Sequence, residues 1–192
     1  EGFGVEKNPQ KAFELFRKSA EQKNPGAECE LGYCYRDGKG VDKGINKAKE
    51  WFEKSANQGN PDGLASLGEF YDKGWADTPI DLAKAIDLYQ KAADKNHAWS
   101  QNRLGHLYWK GIGLEKNEIK AFELFQKSAE NGNSYAQNTL GMFYYNGIGQ
   151  GAEKAKDPRK PAYRKNDFQK AFEWTRKSAE NGNPDAQYNL AI

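Results

Sequence analysis

One phrase is written five times along this chain. Lys-Ala-Phe-Glu-Leu-Phe-Arg-Lys-Ser-Ala-Glu at Lys11–Glu21 returns, with substitutions, at Lys47–Asn57, Lys84–Asp94, Lys120–Glu130 and Lys170–Glu180. A second phrase alternates with it: Leu31-Gly32-x-x-Tyr35, Leu67-Gly68-x-x-Tyr71, Leu104-Gly105-x-x-Tyr108 and Leu140-Gly141-x-x-Tyr144, the leucines 36, 37 and 36 residues apart. A fixed period of this size restricts the chain to a stacked array in which each unit buries its apolar face against its neighbours. Such an array offers a long surface to another macromolecule more readily than a closed pocket for chemistry.

The composition is polar for a compact core, with a mean hydropathy of −1.01 and 29% charged residues. Disorder does not follow, because ten Phe, ten Tyr and five Trp recur at fixed phase, which a disordered chain lacks. A thin two-layer array has a large surface for its volume, and that accounts for the polarity. The net charge of +2 demands neither nucleic acid nor an anionic membrane as partner. No apolar run approaches the roughly 18 residues of a membrane span, and no signal peptide is visible. Cys29 and Cys34 lie about 140° apart around a helix, so their side chains diverge and an intrahelical disulfide is disfavoured.

Within one unit, helix A covers about 26–37, a loop with Gly38 and Gly40 follows, and helix B covers about 46–58. Gly59, Gly132 and Gly182 stand where a helix end needs a residue of positive φ, while Lys23 and Asn96 replace them; asparagine tolerates that conformation and lysine fits it less well. Helix B carries its apolar residues at i, i+3, i+4, i+7 and i+8, in the first copy Ala12, Leu15, Phe16, Ser19 and Ala20, the stripe of a half-buried helix. Gly32, Gly68, Gly105 and Gly141 sit in mid-helix at a cost of about 1 kcal/mol each relative to alanine. A cost repeated in every unit implies a close crossing by helix B, with the tyrosines three residues later wedged between units. The array then divides into a partial unit at 1–24, full units at 25–60, 61–97, 98–133 and 134–183, and a partial unit at 184–192. Both ends fall in mid-repeat, as expected of a fragment of a longer array.

Leu-Gly-x-x-Tyr, then Gly-x-Gly, then Lys-Ala and a closing Lys-Ser/Ala-Ala-x-x-Gly resembles the Sel1-like repeat, a tetratricopeptide-related class with units near 36 residues. The resemblance covers nearly the whole chain apart from an insertion. It implies an all-α fold, a right-handed superhelical solenoid of antiparallel helix pairs, whose members act as adaptors in membrane-protein degradation, in chitin-synthase activation, and in bacterial host interaction and immunity to toxins. One branch carries a disulfide in each repeat, a pattern two cysteines cannot supply.

Catalytic chemistry finds little support. The Gly-x-Gly pairs at Gly38/Gly40, Gly111/Gly113 and Gly147/Gly149/Gly151 follow helices rather than strands, so they read as turns and not as phosphate loops. His97, at the end of a helix B, and His106, on a helix-A face, have no partners at ligand spacing. Glu14, Glu50, Asp87, Glu123 and Glu173 recur at matching phase, as a solvated face does. The expectation is a non-enzymatic protein without cofactor, metal or small-molecule substrate.

In the implied architecture helix A lines the concave side, its constant Leu and Tyr turned inward and the opposite stripe free to vary. That stripe reads Cys29, Tyr33, Arg36, Asp37, then Ala65, Glu69, Asp72, Lys73, then Trp99, Asn102, His106, Trp109, Lys110, then Tyr135, Asn138, Met142, Tyr145, Asn146. The aromatic load lies in the last two sets, and exposed Trp, Tyr and Met beside Asn and Lys are interface material. Trp99, Asn102, His106, Trp109, Lys110, Tyr135, Asn138, Met142 and Tyr145 are therefore the expected partner-binding residues, Asn102 and Asn138 gripping a peptide backbone. An insertion near 150–166 makes one loop about 14 residues longer than its counterparts. Its Lys154, Lys156, Arg159, Lys160, Arg164 and Lys165, with two prolines, predict an irregular loop and an accessory contact for an acidic partner.

The resulting expectation is a scaffold or adaptor that holds a protein or extended peptide in the groove of the A helices. A secreted or periplasmic microbial factor, binding a host protein or a toxin, is the alternative. A binder of nucleic acid or anionic surfaces through the basic loop is disfavoured. A cytoplasmic location is preferred, with periplasmic or secreted placement open, and the cut ends leave end-to-end self-association open.

Overall fold

The computed structural model describes residues 8–149 and 167–191. Every described element is an α-helix: α1 (Pro9–Glu21), α2 (Pro25–Asp37), α3 (Ile45–Asn57), α4 (Pro61–Lys73), α5 (Leu82–Ala93), α6 (Ala98–Lys110), α7 (Glu118–Glu130), α8 (Ser134–Asn146), α9 (Phe168–Glu180) and α10 (Pro184–Ala191). Even-numbered helices are the A helices and odd-numbered ones the B helices. The chain divides into two compact units, Glu1–Ala92 and Ala93–Ile192.

Short polar signals cut the helices to length. The A helices α2, α4 and α8 start behind Asn24, Asn60 and Asn133, whose side chains accept the N–H of Ala27, Gly63 and Ala136. This satisfies one donor that a helix start leaves unpaired. At α6 the place belongs to His97, whose ring accepts the N–H of Ser100; it caps a helix A rather than closing a helix B. The A helices end at Gly38, Gly74, Gly111 and Gly147, all left-handed. At the B-helix ends Gly59, Gly132 and Gly182 have positive φ, and Lys23 (φ 60°) and Asn96 (φ 62°) adopt the same conformation.

Two recurring hydrogen bonds close the antiparallel A–B pairs, the first in four of them and the second in three. Where helix B begins, the N–H of Gly44, Asp81, Asn117 and Asp167 donates to the carbonyl of Tyr35, Tyr71, Tyr108 and Tyr144 at 2.8, 2.9, 2.9 and 3.0 Å. Where helix B ends, Ser55, Ser128 and Ser178 donate to the first-turn carbonyls of Pro25, Ala98 and Ser134 at 2.7, 2.6 and 2.6 Å. In the last four copies the Lys of the Lys-Ala pair lies over the tyrosine that closes its own hairpin: Lys47 over Tyr35, Lys84 over Tyr71, Lys120 over Tyr108 and Lys170 over Tyr144, with Nζ 5.4, 4.1, 4.4 and 5.2 Å from the ring centre. Each is a cation–π contact, and Lys84 also donates to the Tyr71 hydroxyl at 2.6 Å.

Helix B crosses helix A at the mid-helix glycines. A Cβ on Gly32 would lie 2.5 Å from the Phe52 ring, on Gly68 2.6 Å from Tyr89, and on Gly105 2.8 Å from Phe125. On Gly141 it would meet Thr175 at 2.5 Å and the Ala171 carbonyl at 3.1 Å. In the first unit the core gathers Phe52, Leu67, Phe70 and Leu88; in the second it gathers Phe125, Leu140, Phe143 and Tyr144. Buried amides tie repeat to repeat. Gln101 and Gln137 donate to the carbonyls of Ala93 and Ala129 and accept from Asn131 and Asn181.

Two expectations need correction. Leu15, assigned to the buried stripe of the first helix B, is 58% exposed; its counterparts Leu88 and Leu124 are buried. Cys29 and Ala65, assigned to the free stripe of helix A, are buried. Here α2 and α4 touch each other, and Tyr33 bonds Ser66 at 2.9 Å across that seam. Both cysteines are free and buried, and desolvation pushes the Cys29 thiol up to about 12.

Candidate functional site

The nine stripe residues on α6 and α8 separate into two groups. Trp99 (37%), Tyr135 (59%), Met142 (37%) and Tyr145 (58%) are exposed. On α8, residues 135, 138, 142 and 145 are spaced by three, four and three, which keeps them on one face. Tyr145 meets the equally exposed Phe168 edge-on, ring centres 5.3 Å apart. On α10, Tyr188 is 68% exposed and occupies the register position of Asn138 and Asn102. By contrast, the first-unit A helices α2 and α4 contribute no member to the exposed large hydrophobic residues. The aromatic surface is thus a property of residues 93–191.

Of the other five, Asn102, His106, Trp109 and Asn138 are half-buried and Lys110 is not. Trp109 packs edge-on against the fully buried Phe143 of the next repeat, centres 5.4 Å apart, and joins the second-unit core. His106 stands edge-on to Phe125 at 4.9 Å and beside Trp109 at 6.0 Å. Burial first, and then the charges of Arg103 and Lys110, lower the His106 pKa. The imidazole is packed between the Phe125 and Trp109 rings. Asn102 and Asn138 are half-buried, and Asn102 Oδ1 is buried without a hydrogen-bond partner. Lys110 is exposed, its Nζ 4.2 Å from the Trp109 ring centre.

Sequence reasoning missed Phe168 and Tyr188. Phe168 opens a helix B, and Tyr188 lies in the short last helix, but both positions were readable from the repeat register. The basic residues Lys154, Lys156, Arg159, Lys160, Arg164 and Lys165 lie outside the described residues. Among the described residues no group of three His, Cys, Asp or Glu is placed to hold a metal, and no helix is long and apolar enough to cross a membrane.

The helix pairs and their closing residues have a counterpart among known families. The Sel1 repeat matches residues 1–24, 25–60, 61–97, 100–133, 134–164 and 159–183. The chain is a Sel1-repeat protein. Its all-α solenoid of A–B pairs is shared by the crystal structure of a Sel1 repeat protein from Oxalobacter formigenes, 32% identical over 97% of this chain and 70% of that one, with a TM-score of 0.82. A protective antigen of uropathogenic Escherichia coli with the same repeat fold is also 32% identical, over 99% of this chain and 45% of that one, at a TM-score of 0.68. An immunity protein of Pseudomonas aeruginosa shares the fold at 20% identity and a TM-score of 0.62, over 95% of this chain and 62% of that one. The search of curated proteins gives no match to this Sel1-repeat chain.

Proposed function

We propose that this Sel1-repeat chain is a non-enzymatic scaffold that holds a protein or extended peptide on the A-helix face of its second unit. One observation carries the reading. Trp99, Tyr135, Met142, Tyr145 and Tyr188 are exposed along α6, α8 and α10, whereas α2 and α4 present no large exposed hydrophobic residue. Large aromatics left in water at one end of an array are the side chains that contribute most when an interface closes over them. Asn138 lies between Tyr135 and Met142 in the same stripe, with an amide suited to a peptide backbone. The basic segment at 154–165, which separates α8 from α9 in the sequence, is an accessory contact in this reading.

The test replaces Tyr135 and Tyr145 together by alanine. Both rings are mostly in solvent, so helicity and unfolding midpoint stay near those of the parent. Trp109 is left intact, because its removal would open the core beside Phe143. Pull-downs from lysate of the source cell, read by mass spectrometry, are expected to show a protein retained by the parent and lost by the folded variant. Equal retention by both would remove the site from this face.

A second reading, a microbial factor that engages a host protein, is favoured by the 32% identity to the protective antigen. It uses the same face, and a host extract in place of the source lysate distinguishes it.

A further inference from the structure

Helix α8 is alone among the described helices in carrying no charged residue. It reads Ser-Tyr-Ala-Gln-Asn-Thr-Leu-Gly-Met-Phe-Tyr-Tyr-Asn, in a chain that is 29% charged. The register positions of its stripe, Tyr135, Asn138, Met142 and Tyr145, hold Asp62, Ala65, Glu69 and Asp72 on α4. The stripe is nonetheless open to solvent. Tyr135, Met142 and Tyr145 are exposed, and the exposed Phe168 extends the patch edge-on from Tyr145. Tyr135, Tyr145 and Phe168 are 58–60% exposed. Rings that hide about 150–250 Å² each when fully buried therefore leave roughly 300–450 Å² in water among the three. That is about half of the ~800 Å² each partner contributes to a standard interface, before Met142 and the amides are added.

We infer that this face packs on the same face of a second copy, forming a symmetric dimer in which the two α8 helices meet. The inference rests on the binding face proposed above and names its occupant. In a symmetric pair one patch must complement itself. A patch of one sign of charge repels its own copy, and α8 has no charge to repel with. Asparagine amides and tyrosine hydroxyls both donate and accept hydrogen bonds, so Asn138, Tyr135 and Tyr145 can each pair with the same group across a two-fold axis. Homodimer interfaces are the more apolar class, and charge is depleted at interface cores. A charged peptide fits less well, because its ionic groups would lose water with no opposite charge on α8 to receive them.

Sedimentation velocity of the full chain at rising concentration tests the dimer. The parent is compared with Tyr135→Ala/Tyr145→Ala, Met142→Lys and Met142→Glu, each first shown to keep its helical circular dichroism. The parent is expected to pass from one chain mass to two. The tyrosine pair removes four rings from a symmetric dimer and raises its dissociation constant more than about a hundredfold. Met142→Lys and Met142→Glu each set like charges against one another and sediment as monomers. Mixed in equal amounts, they regain the dimer, because opposite charges now meet across the axis. A parent that stays at one chain mass overturns the second copy. The face itself then stands if the pull-down still loses a protein on the tyrosine pair, and falls with the inference if retention is equal. A parent dimer left unchanged by the tyrosine pair and by both Met142 variants is built on another surface and also overturns the inference.

Discussion

Replacing Gly32 by alanine sets two well-measured effects against each other. In an open helix the change stabilises by about 1 kcal/mol, because glycine loses more backbone freedom on folding. Here the new methyl would stand 2.5, 2.6 and 2.9 Å from three atoms of the Phe52 ring. The ring is fully buried and sits between Tyr33 and Phe70, at centre distances of 5.1 and 5.9 Å. It has nowhere to retreat without moving both. Overpacking of this kind costs about 1–3 kcal/mol, so the expected net loss is about 0–2 kcal/mol. For a chain of this size that lowers Tm by up to about 8 °C. The control is the same change made on Phe52→Leu, which alone costs about 1–2 kcal/mol for the lost volume. With the ring gone the methyl finds room, and Gly32→Ala becomes neutral or stabilising. Urea unfolding followed by circular dichroism gives the coupling from the four proteins. A stabilised single mutant, or the same effect in both backgrounds, would refute the crossing argument.

Lys23 holds a left-handed conformation at the end of α1, so Lys23→Gly should raise stability by about 0.5–1 kcal/mol, measured by the same unfolding curves. Ala76 and Asp77 both have φ of 55° in a turn closed by Thr78 N–H to the Trp75 carbonyl at 3.0 Å; Ala76→Asn with Asp77→Gly should add about 1–2 kcal/mol. The Cys29 thiol, buried and pushed up to about 12, should resist a thiol reagent at pH 8 until denaturant is added, whereas immediate modification would contradict its burial. Asp37 is held at about 2 by Arg36 first and then Lys39. Its contribution is therefore present above the unfolded carboxyl value near 3.8 and is lost as pH falls through about 2. Solvent screening keeps it below about 1 kcal/mol, and a carboxyl NMR titration with a midpoint near 4 would remove it.

Much of the fold was legible because the constraint repeats. A glycine in mid-helix at the same phase in four units can be read as a crossing without coordinates, and so can a positive-φ position occupied by glycine in three of five helix ends. In the last four copies the lysine of the Lys-Ala pair was visible but unexplained, since its role is to lie over a tyrosine more than ten residues away. The exposed stripe was only half legible. Angles around a helix place Trp109 and Tyr145 on one face, yet Trp109 is long enough to reach Phe143 in the next repeat and leaves the surface. Cys29 and Ala65 fail for a related reason: neighbouring A helices touch in the first unit, and the pattern of one helix does not reveal its contact with the next. Gln101 and Gln137 look like solvated amides in the sequence, and only stacking shows them holding the carbonyl ends of one repeat to the next.

The hydrogen bond from Asp167 to the Tyr144 carbonyl places the return of the inserted segment at the same spot where the shorter loops return. The hairpin is closed by Tyr144, Asp167 and Lys170 regardless of how much chain runs between them. Going from the Tyr35–Gly44 connection to the Tyr144–Asp167 connection costs only about 1 kcal/mol of closure entropy, because that cost grows with the logarithm of length. The repeat therefore offers evolution a docking port: residues can be added, removed or exchanged between Tyr144 and Asp167 with the register of every helix unchanged. New recognition elements can be acquired there, next to the aromatic face, without renegotiating the core.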